Sequence, residues 1–166
     1  MSRIEWLPNI CTAANLLLGV IALANVFGCN YNLSVVLILI AAIIDRADGM
    51  LARHYNAVTE FGKEFDSLAD LVSFGVAPGA LLYSTVAGEW SPAALVCFGA
   101  FALCGGLRLA RYNLCESPAY FQGVPITIAG SLLAIIIYFQ PGQAFILGSG
   151  FLLALAMISN IRIPKI

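Results

Sequence analysis

Four aspartates lie in two closely spaced pairs between long apolar stretches of the chain. Asp45 and Asp48 are three residues apart, and Asp66 and Asp70 are four residues apart. On two helices each pair would project from one face, where the two pairs can converge. A charged side chain at the centre of a bilayer costs roughly 2.5–3.5 kcal/mol on insertion scales, so such residues usually mark functional sites. The spacing therefore predicts one shared carboxylate site.

Four carboxylates in one cavity repel each other, and a bound cation would remove that repulsion. Several aspartate oxygens suit Mg²⁺ or Mn²⁺, and two such ions about 3.5–4 Å apart are a known arrangement for displacement at phosphorus. Solvated acids at two helix ends are the alternative interpretation. Gly49, Ala52 and Gly62 weigh against it, because small residues allow backbone or ligand to approach closely.

The composition is that of an integral membrane protein. The chain has 166 residues, of which 61% are hydrophobic and 10% are charged, and its mean hydropathy is +0.92. We therefore expect a single membrane domain over residues 1–166 and no separate soluble domain. The net charge of −1 offers no basic stripe for nucleic acid. The five cysteines form no C-x-x-C pair and are expected to pack as small hydrophobic residues.

Six apolar segments predict an all-α bundle of six transmembrane helices. They cover about residues 10–27, 33–53, 62–86, 92–110, 124–139 and 143–161. We expect a short amphipathic N-terminal segment around Trp6, a break at Pro8 and Asn9, and a bend at Pro78. No small-residue cleavage site follows the first apolar run, which favours a retained span over a removed signal peptide.

The placement of charge predicts the orientation of this bundle. All eight lysines and arginines fall at the termini, in the loops after spans two and four, or in adjoining helix ends. Eight of the nine acidic residues lie on the same side, and Glu89 lies on the other. By the excess of lysine and arginine in cytoplasmic loops, we expect both termini and the carboxylate site at the cytoplasmic face of the cell membrane.

The pattern around the aspartates resembles the signature of the CDP-alcohol phosphatidyltransferase family. It reads D-x-x-D-G-x-x-A-R, then eight residues, then G-x-x-x-D-x-x-x-D. Its fixed positions are filled by Asp45, Asp48, Gly49, Ala52, Arg53, Gly62, Asp66 and Asp70. The resemblance implies an enzyme in which an alcohol attacks the lipid-bearing phosphate of a CDP-linked lipid and CMP leaves.

The same resemblance implies roles for these residues. Asp45, Asp48 and Asp66 would bind one divalent ion, and Asp66 and Asp70 would serve a second. Asp70 is also the expected general base. The residues expected to hold or make room for the nucleotide are Gly49, Ala52, Arg53, Gly62, Thr12 and Asn15. A homodimer in the lipid membrane is expected on the same ground.

Four further segments resemble the serine-specific branch of the family. They are residues 8–19, 73–78, 108–113 and 121–125. This resemblance implies transfer of a phosphatidyl group from CDP-diacylglycerol, or an ether-lipid analogue, to the hydroxyl of L-serine. The expected serine-binding residues are Arg108, Arg111, Asn113 and Gln122. An arginine can hold a carboxylate with two hydrogen bonds, although each arginine could instead snorkel to lipid headgroups.

Two alternatives stay open at this point. Other branches of the family use glycerol phosphate or inositol phosphate as the acceptor. From a different class, a divalent-cation transporter would need polar groups through the full depth of the bilayer. Residues 33–44 and 71–86 are nearly without polar side chains, which argues against transport.

Overall fold

The computed structural model describes residues 6–54, 59–86, 88, 90–114, 120–159 and 162–164. Within these ranges the chain forms seven α-helices, one π-helix and two short strands. Their bounds are α1 (Trp6–Phe27), α2 (Tyr31–His54), α3 (Glu60–Asp70), the π-helix (Leu71–Val76), α4 (Ala77–Val86), α5 (Ser91–Leu114), β1 (Tyr120–Gln122), α6 (Ile126–Phe139), α7 (Gln143–Ile158) and β2 (Arg162–Pro164).

Three helical segments of the described chain are long and apolar enough to cross a membrane. They are Asn9–Phe27, Glu60–Val86 and Ser91–Leu114. The second segment is one continuous helical run made of α3, the π-helix and α4. A helix needs about 20 residues to span the hydrocarbon core. The chain is an integral membrane protein, as its composition predicted, and α6 and α7 add shorter apolar helices.

The helices lie where the sequence predicted them, with differences at the ends. α1 begins at Trp6, so Pro8 does not break the chain. Proline is tolerated in a first helical turn because the N–H groups there have no intrahelical partner. After α7, β2 pairs antiparallel with β1, and Phe121 lies opposite Ile163. Residues 1–5, which include most of the expected amphipathic segment, lie outside the described residues.

A π-helix ends two residues before Pro78, where a bend was expected. The N–H of Ala77 donates to the carbonyl of Val72, five residues earlier. The ring of Pro78 would crowd the carbonyl of Phe74 in a regular α-helix, and the wider π turn accommodates it. The core forms around this run, where Phe74 and Leu81 are completely buried.

Glycines of two other helices make room for the π-helix. A Cβ atom at Gly19 of α1 would lie 2.8 Å from the Cα of Ser73. A Cβ atom at Gly130 of α6 would lie 2.8 Å from the Cα of Phe74. Because these neighbours are backbone atoms, they cannot rotate away, and glycine allows both helices to touch the π-helix.

Candidate active site

Three of the predicted aspartates come together at one point. Carboxylate oxygens of Asp45, Asp66 and Asp70 all lie within 4.8 Å of one another. Asp70 is buried, and the other two are half-buried. Carboxylates this close repel, and a divalent cation bound between them offsets the repulsion. The all-oxygen donor set fits Mg²⁺ or Mn²⁺. The side chain of Asp48 lies outside the described residues.

The start of α3 sets the direction of its two aspartates. Thr59 caps the helix, and its hydroxyl oxygen accepts a hydrogen bond from the N–H of Gly62 at 3.0 Å. Glu60 in the first turn also complements the helix dipole. With the helix fixed from its first turn, Asp66 and Asp70 lie one turn apart on the same face.

Neighbouring helices hold the carboxylates in place. The amide Nδ2 of Asn15 in α1 donates to Oδ1 of Asp70 at 3.4 Å. The hydroxyl of Ser73 in turn donates to the backbone carbonyl of Asn15 at 2.9 Å. From α6, the hydroxyl of Thr127 donates to Oδ2 of Asp45 at 3.4 Å. Such contacts behind the carboxylates fix their orientation.

A cavity of about 190 Å³ adjoins the carboxylates between α3 and α5. Eight of its ten lining residues have a charged or polar side chain. The lining residues are Lys63, Asp66, Ser67, Asp70, Arg108, Leu109, Tyr112, Asn113, Pro125 and Thr127. We call this space the polar cavity. Its volume suits a small polar molecule.

A larger groove of about 550 Å³ reaches the carboxylates from the other side, between α2 and α6. Its walls are mainly apolar, and its lining residues are Ala42, Asp45, Arg46, Pro125, Thr127, Ile128, Ser131, Leu132 and Ile135. We call it the apolar groove. Ile128 and Leu132 remain 57% and 42% exposed, so the groove opens to the surface of the helix bundle. Pro125 and Thr127 line both spaces.

The structure separates the residues that the sequence grouped as a serine site. Arg108 and Asn113 line the polar cavity. Arg111 does not line it, because its Nη1 donates to the carbonyl of Ile158 at 3.5 Å. The remaining predicted residues whose side chains lie outside the described part are Ala52, Arg53 and Gln122.

Four of the residues predicted to bind or accommodate the nucleotide have described surroundings. Two lie in α1, and two are glycines of the family pattern. Thr12 and Asn15 are buried, at 4% and 0% exposure. A Cβ atom at Gly49 would meet no atom within 4 Å, so this glycine borders open space. A Cβ atom at Gly62 would lie 3.1 Å from Oδ1 of Asn9. Gly62 thus allows α1 to approach the start of α3.

Sequence reasoning did not single out Lys63, Ser67 or Thr127. A signal for the first two existed, because residues 63, 66, 67 and 70 follow the i, i+3, i+4, i+7 spacing of one helix face. Lys63 donates from Nζ to the backbone carbonyl of Asn113 at 3.1 Å and lies over the Tyr112 ring. Thr127 is 82 residues from Asp45 in the chain, and no local sequence pattern predicts a contact between such distant residues.

Comparison with known proteins finds a matching family and several similar proteins. The family model described as CDP-alcohol phosphatidyltransferase matches residues 5–161. A CDP-diacylglycerol–serine O-phosphatidyltransferase of Bacillus subtilis is 35% identical over 96% of this chain and 90% of the relative. One of Methanocaldococcus jannaschii is 38% identical over 98% of this chain and 76% of the relative. An archaetidylserine synthase of Methanothermobacter thermautotrophicus is 32% identical over 96% of this chain and 70% of the relative.

Proposed function

The chain belongs to the CDP-alcohol phosphatidyltransferase family, and we propose that it transfers a phosphatidyl group from CDP-diacylglycerol, or an ether-lipid analogue, to L-serine. The products are phosphatidylserine, or its ether-lipid counterpart, and CMP. The observation that supports this best is the position of the carboxylate cluster between an apolar groove and a small polar cavity. A lipid and a small polar acceptor can meet there.

The apolar groove is the proposed place of the CDP-lipid. Ile128, Leu132 and Ile135 follow one face of α6 and provide an apolar wall along which a lipid chain can lie. Arg46 and the first turn of α6 lie at the groove end nearest the cluster. An arginine and a helix N-terminus both stabilise a pyrophosphate.

The polar cavity is the proposed place of serine. Nε of Arg108 is buried and finds no hydrogen-bond partner among the residues that the structure describes. A buried donor left without a partner costs free energy, and an incoming carboxylate would satisfy it. Lys63 adds a second cation to the cavity wall. A volume of about 190 Å³ suits serine better than inositol phosphate.

The proposed chemistry is one displacement at phosphorus. The serine hydroxyl oxygen bonds to the lipid-bearing phosphorus, the bond from that phosphorus to the CMP oxygen breaks, and Asp70 takes the hydroxyl proton. Asn15 holds Asp70, and Thr127 holds Asp45, so the carboxylates keep their direction. Arg108 orients the acceptor through its carboxylate.

Asp45, Asp66 and Asp70 would hold the divalent metal, with Asp48 added by the family pattern. Bound there, Mg²⁺ or Mn²⁺ would offset the negative charge of the pyrophosphate and of the carboxylates. Two ions are proposed from the family pattern. Arg53, Gly49 and Ala52 are proposed to hold or accommodate the nucleotide on the same ground.

A membrane assay tests the proposed function directly. Purified protein in lipid vesicles receives CDP-diacylglycerol, Mg²⁺ or Mn²⁺, and one of L-serine, glycerol 3-phosphate or inositol phosphate. We expect CMP release and a new phospholipid with L-serine alone. Product with glycerol phosphate or inositol phosphate, and none with serine, would assign the chain to another branch. Cation flux into the vesicles without any lipid product would favour a transporter.

We further propose six spans with both termini and the active site on the cytoplasmic side of the cell membrane, and a homodimer. The one-sided placement of lysine and arginine supports the orientation. Single cysteines introduced at residues 3 and 165 should react with a membrane-impermeant reagent from the cytoplasmic side only. Labelling of the two positions from opposite sides contradicts an even number of spans. Cross-linking in native membranes tests the dimer.

A further inference from the structure

We infer that Glu64 and Ser67 are positioning residues that orient the Asn113 amide so that its oxygen receives the ammonium group of the acceptor. This inference rests on the proposed function and adds to it a means of selecting amino-bearing acceptors. It assigns the α3–α5 contact, at the edge of the polar cavity, a role in substrate choice.

Three hydrogen bonds define the orientation of the Asn113 side chain. Its Nδ2 donates to Oε1 of Glu64 at 3.2 Å and to Oγ of Ser67 at 3.0 Å. The Ser67 hydroxyl donates its only proton to the carbonyl of Lys63 at 3.1 Å, so its oxygen acts as an acceptor toward Asn113. An ionised glutamate can only accept. The atom of Asn113 that faces both groups must therefore be the nitrogen.

The amide oxygen is the atom that remains for a ligand. Both protons of Nδ2 are used, and the oxygen can accept two hydrogen bonds. Oδ1 of Asn113 is buried and has no hydrogen-bond partner within the described ranges. Asn113 lines the polar cavity, so a donor arriving in this cavity would satisfy Oδ1. A buried acceptor without a hydrogen-bond partner costs free energy, which favours a ligand that donates a hydrogen bond to it.

The charges around the cavity favour an ammonium group in combination with a carboxylate. Arg108 offers a buried Nε donor without a partner in the described chain, and Asn113 offers an acceptor. An α-amino acid brings the complementary acceptor and donor in one small molecule. Lys63 and Arg108 are the cations of the lining, and Asp66 and Asp70 are its anions. A zwitterion leaves this balance unchanged, whereas a phosphate-bearing acceptor adds negative charge beside the carboxylates.

The test compares two acceptors that differ only in the ammonium group. 3-Hydroxypropionate has the hydroxyl and the carboxylate of serine and lacks the amine. The measured quantity is the kcat/KM for L-serine divided by that for 3-hydroxypropionate, with CDP-diacylglycerol saturating. A charge-assisted hydrogen bond should make this ratio roughly 10 to 150 in the unmodified protein. Asn113→Leu, which removes the acceptor at similar size, should bring the ratio close to one.

The positioning role is tested by Ser67→Ala, and by Ser67→Ala combined with Glu64→Leu. Each freed amide proton allows the side chain to turn, so we expect the ratio to fall roughly 3- to 10-fold in the single variant and further in the double variant. Ser67→Thr keeps a hydroxyl and should restore the ratio. Ser149→Ala, on α7 with its hydroxyl bonded to the carbonyl of Ile146, is the matched control and should leave the ratio unchanged.

The outcomes separate the inference from the proposed function. If the unmodified protein makes no lipid product from serine, the proposed function fails. If serine is a substrate but Ser67→Ala lowers kcat/KM for both acceptors by the same factor, the inference is wrong and Ser67 only stabilises the fold. The inference is also wrong if Asn113→Leu keeps the full preference for serine, because the ammonium is then held elsewhere.

Discussion

The polar cavity and the apolar groove meet at the carboxylate cluster, and their walls differ in polarity. Asp66 and Asp70 line the cavity, and Asp45 lines the groove. Between α3 and α5 the wall carries lysine, arginine, aspartate, serine and asparagine in about 190 Å³. Between α2 and α6 the wall carries alanine, leucine and isoleucine around about 550 Å³. Burial of apolar surface can hold a lipid tightly without directional contacts, whereas a small polar molecule needs placed donors and acceptors.

Selectivity between substrates can reside more readily in the polar cavity than in the apolar groove. A groove with apolar walls distinguishes its ligands weakly, because one methylene more or less changes binding by only about 1–3 kcal/mol. A cavity with buried polar groups discriminates more strongly, since an unsuitable ligand leaves those groups unpaired. We therefore expect changes in the cluster to affect both substrates, and changes in either space to affect one.

The largest loss of turnover is expected for changes in the carboxylate cluster, where the polar cavity and the apolar groove meet. Asp45→Asn and Asp66→Asn keep side-chain size but remove ligand charge, so turnover should be abolished. Asp70→Asn should lower kcat by roughly 10²–10⁴-fold while CDP-lipid still binds, if its main role is that of the base. Turnover is measured by CMP release, and affinity by titration with CDP-diacylglycerol.

Glu60→Gln is the matched control for Asp66→Asn and Asp70→Asn, because it replaces a carboxylate by an amide at an exposed residue of the same helix. It should behave like the unmodified protein. Equal loss of CDP-lipid affinity in Asp45→Asn and Asp70→Asn would contradict the division of roles between these two aspartates.

The second largest effect, a change in the KM for serine, is expected for a change in the polar cavity. Arg108→Lys keeps the positive charge but loses the planar fork, so the KM for serine should rise roughly 10- to 150-fold with little change in the KM for CDP-lipid. Arg111→Lys is the comparator, since its guanidinium lies against Ile158 outside the cavity. Steady-state kinetics with each substrate varied in turn provide the measurement. A serine KM that moves by less than about twofold in Arg108→Lys would mean that the carboxylate is held elsewhere.

The smallest effect, a change in the KM for CDP-lipid, is expected for a change in the apolar groove. Leu132→Trp narrows the groove, and overpacking of about 1 kcal/mol would raise the KM for CDP-lipid roughly fivefold. The KM for serine should stay constant. Leu152→Trp makes the same substitution at an exposed leucine of α7 and serves as the control. If both tryptophan variants change the CDP-lipid KM equally, the groove between α2 and α6 is not the place of the lipid.

The carboxylate cluster could be predicted because the aspartates that form it lie close together in the sequence. Asp66 and Asp70 lie one helical turn apart, and the apolar runs on either side required helices. Convergence of Asp45 with this pair followed from the argument that four acids in an apolar chain need a common cation. The spacing also placed Asp48 in the cluster, and the family pattern added Arg53; the side chains of both lie outside the described residues.

The walls of the two spaces could not be predicted in the same way. Arg108 and Arg111 are three residues apart and look equivalent in the sequence. Their different surroundings depend on the end of α7. The carbonyl of Ile158 accepts a hydrogen bond from Arg111 and not from Arg108. The pairing of Asn113 with Glu64 and Ser67 joins positions 49 and 46 residues apart. Such contacts depend on how whole helices pack, which helix periodicity does not specify.

The π-helix has a consequence for the biosynthesis of the protein. It carries the residues that follow Asp70, and it is enclosed by Gly19 from the first helix and Gly130 from the sixth. In the order of synthesis, α1 and the aspartates precede α6 by more than 50 residues. Until α6 arrives, Phe74 lacks its partner at Gly130, and Asp45 lacks the hydroxyl of Thr127. The surroundings of the carboxylate cluster are therefore complete only when α6 has packed against the earlier helices, so assembly of the candidate site requires most of the chain.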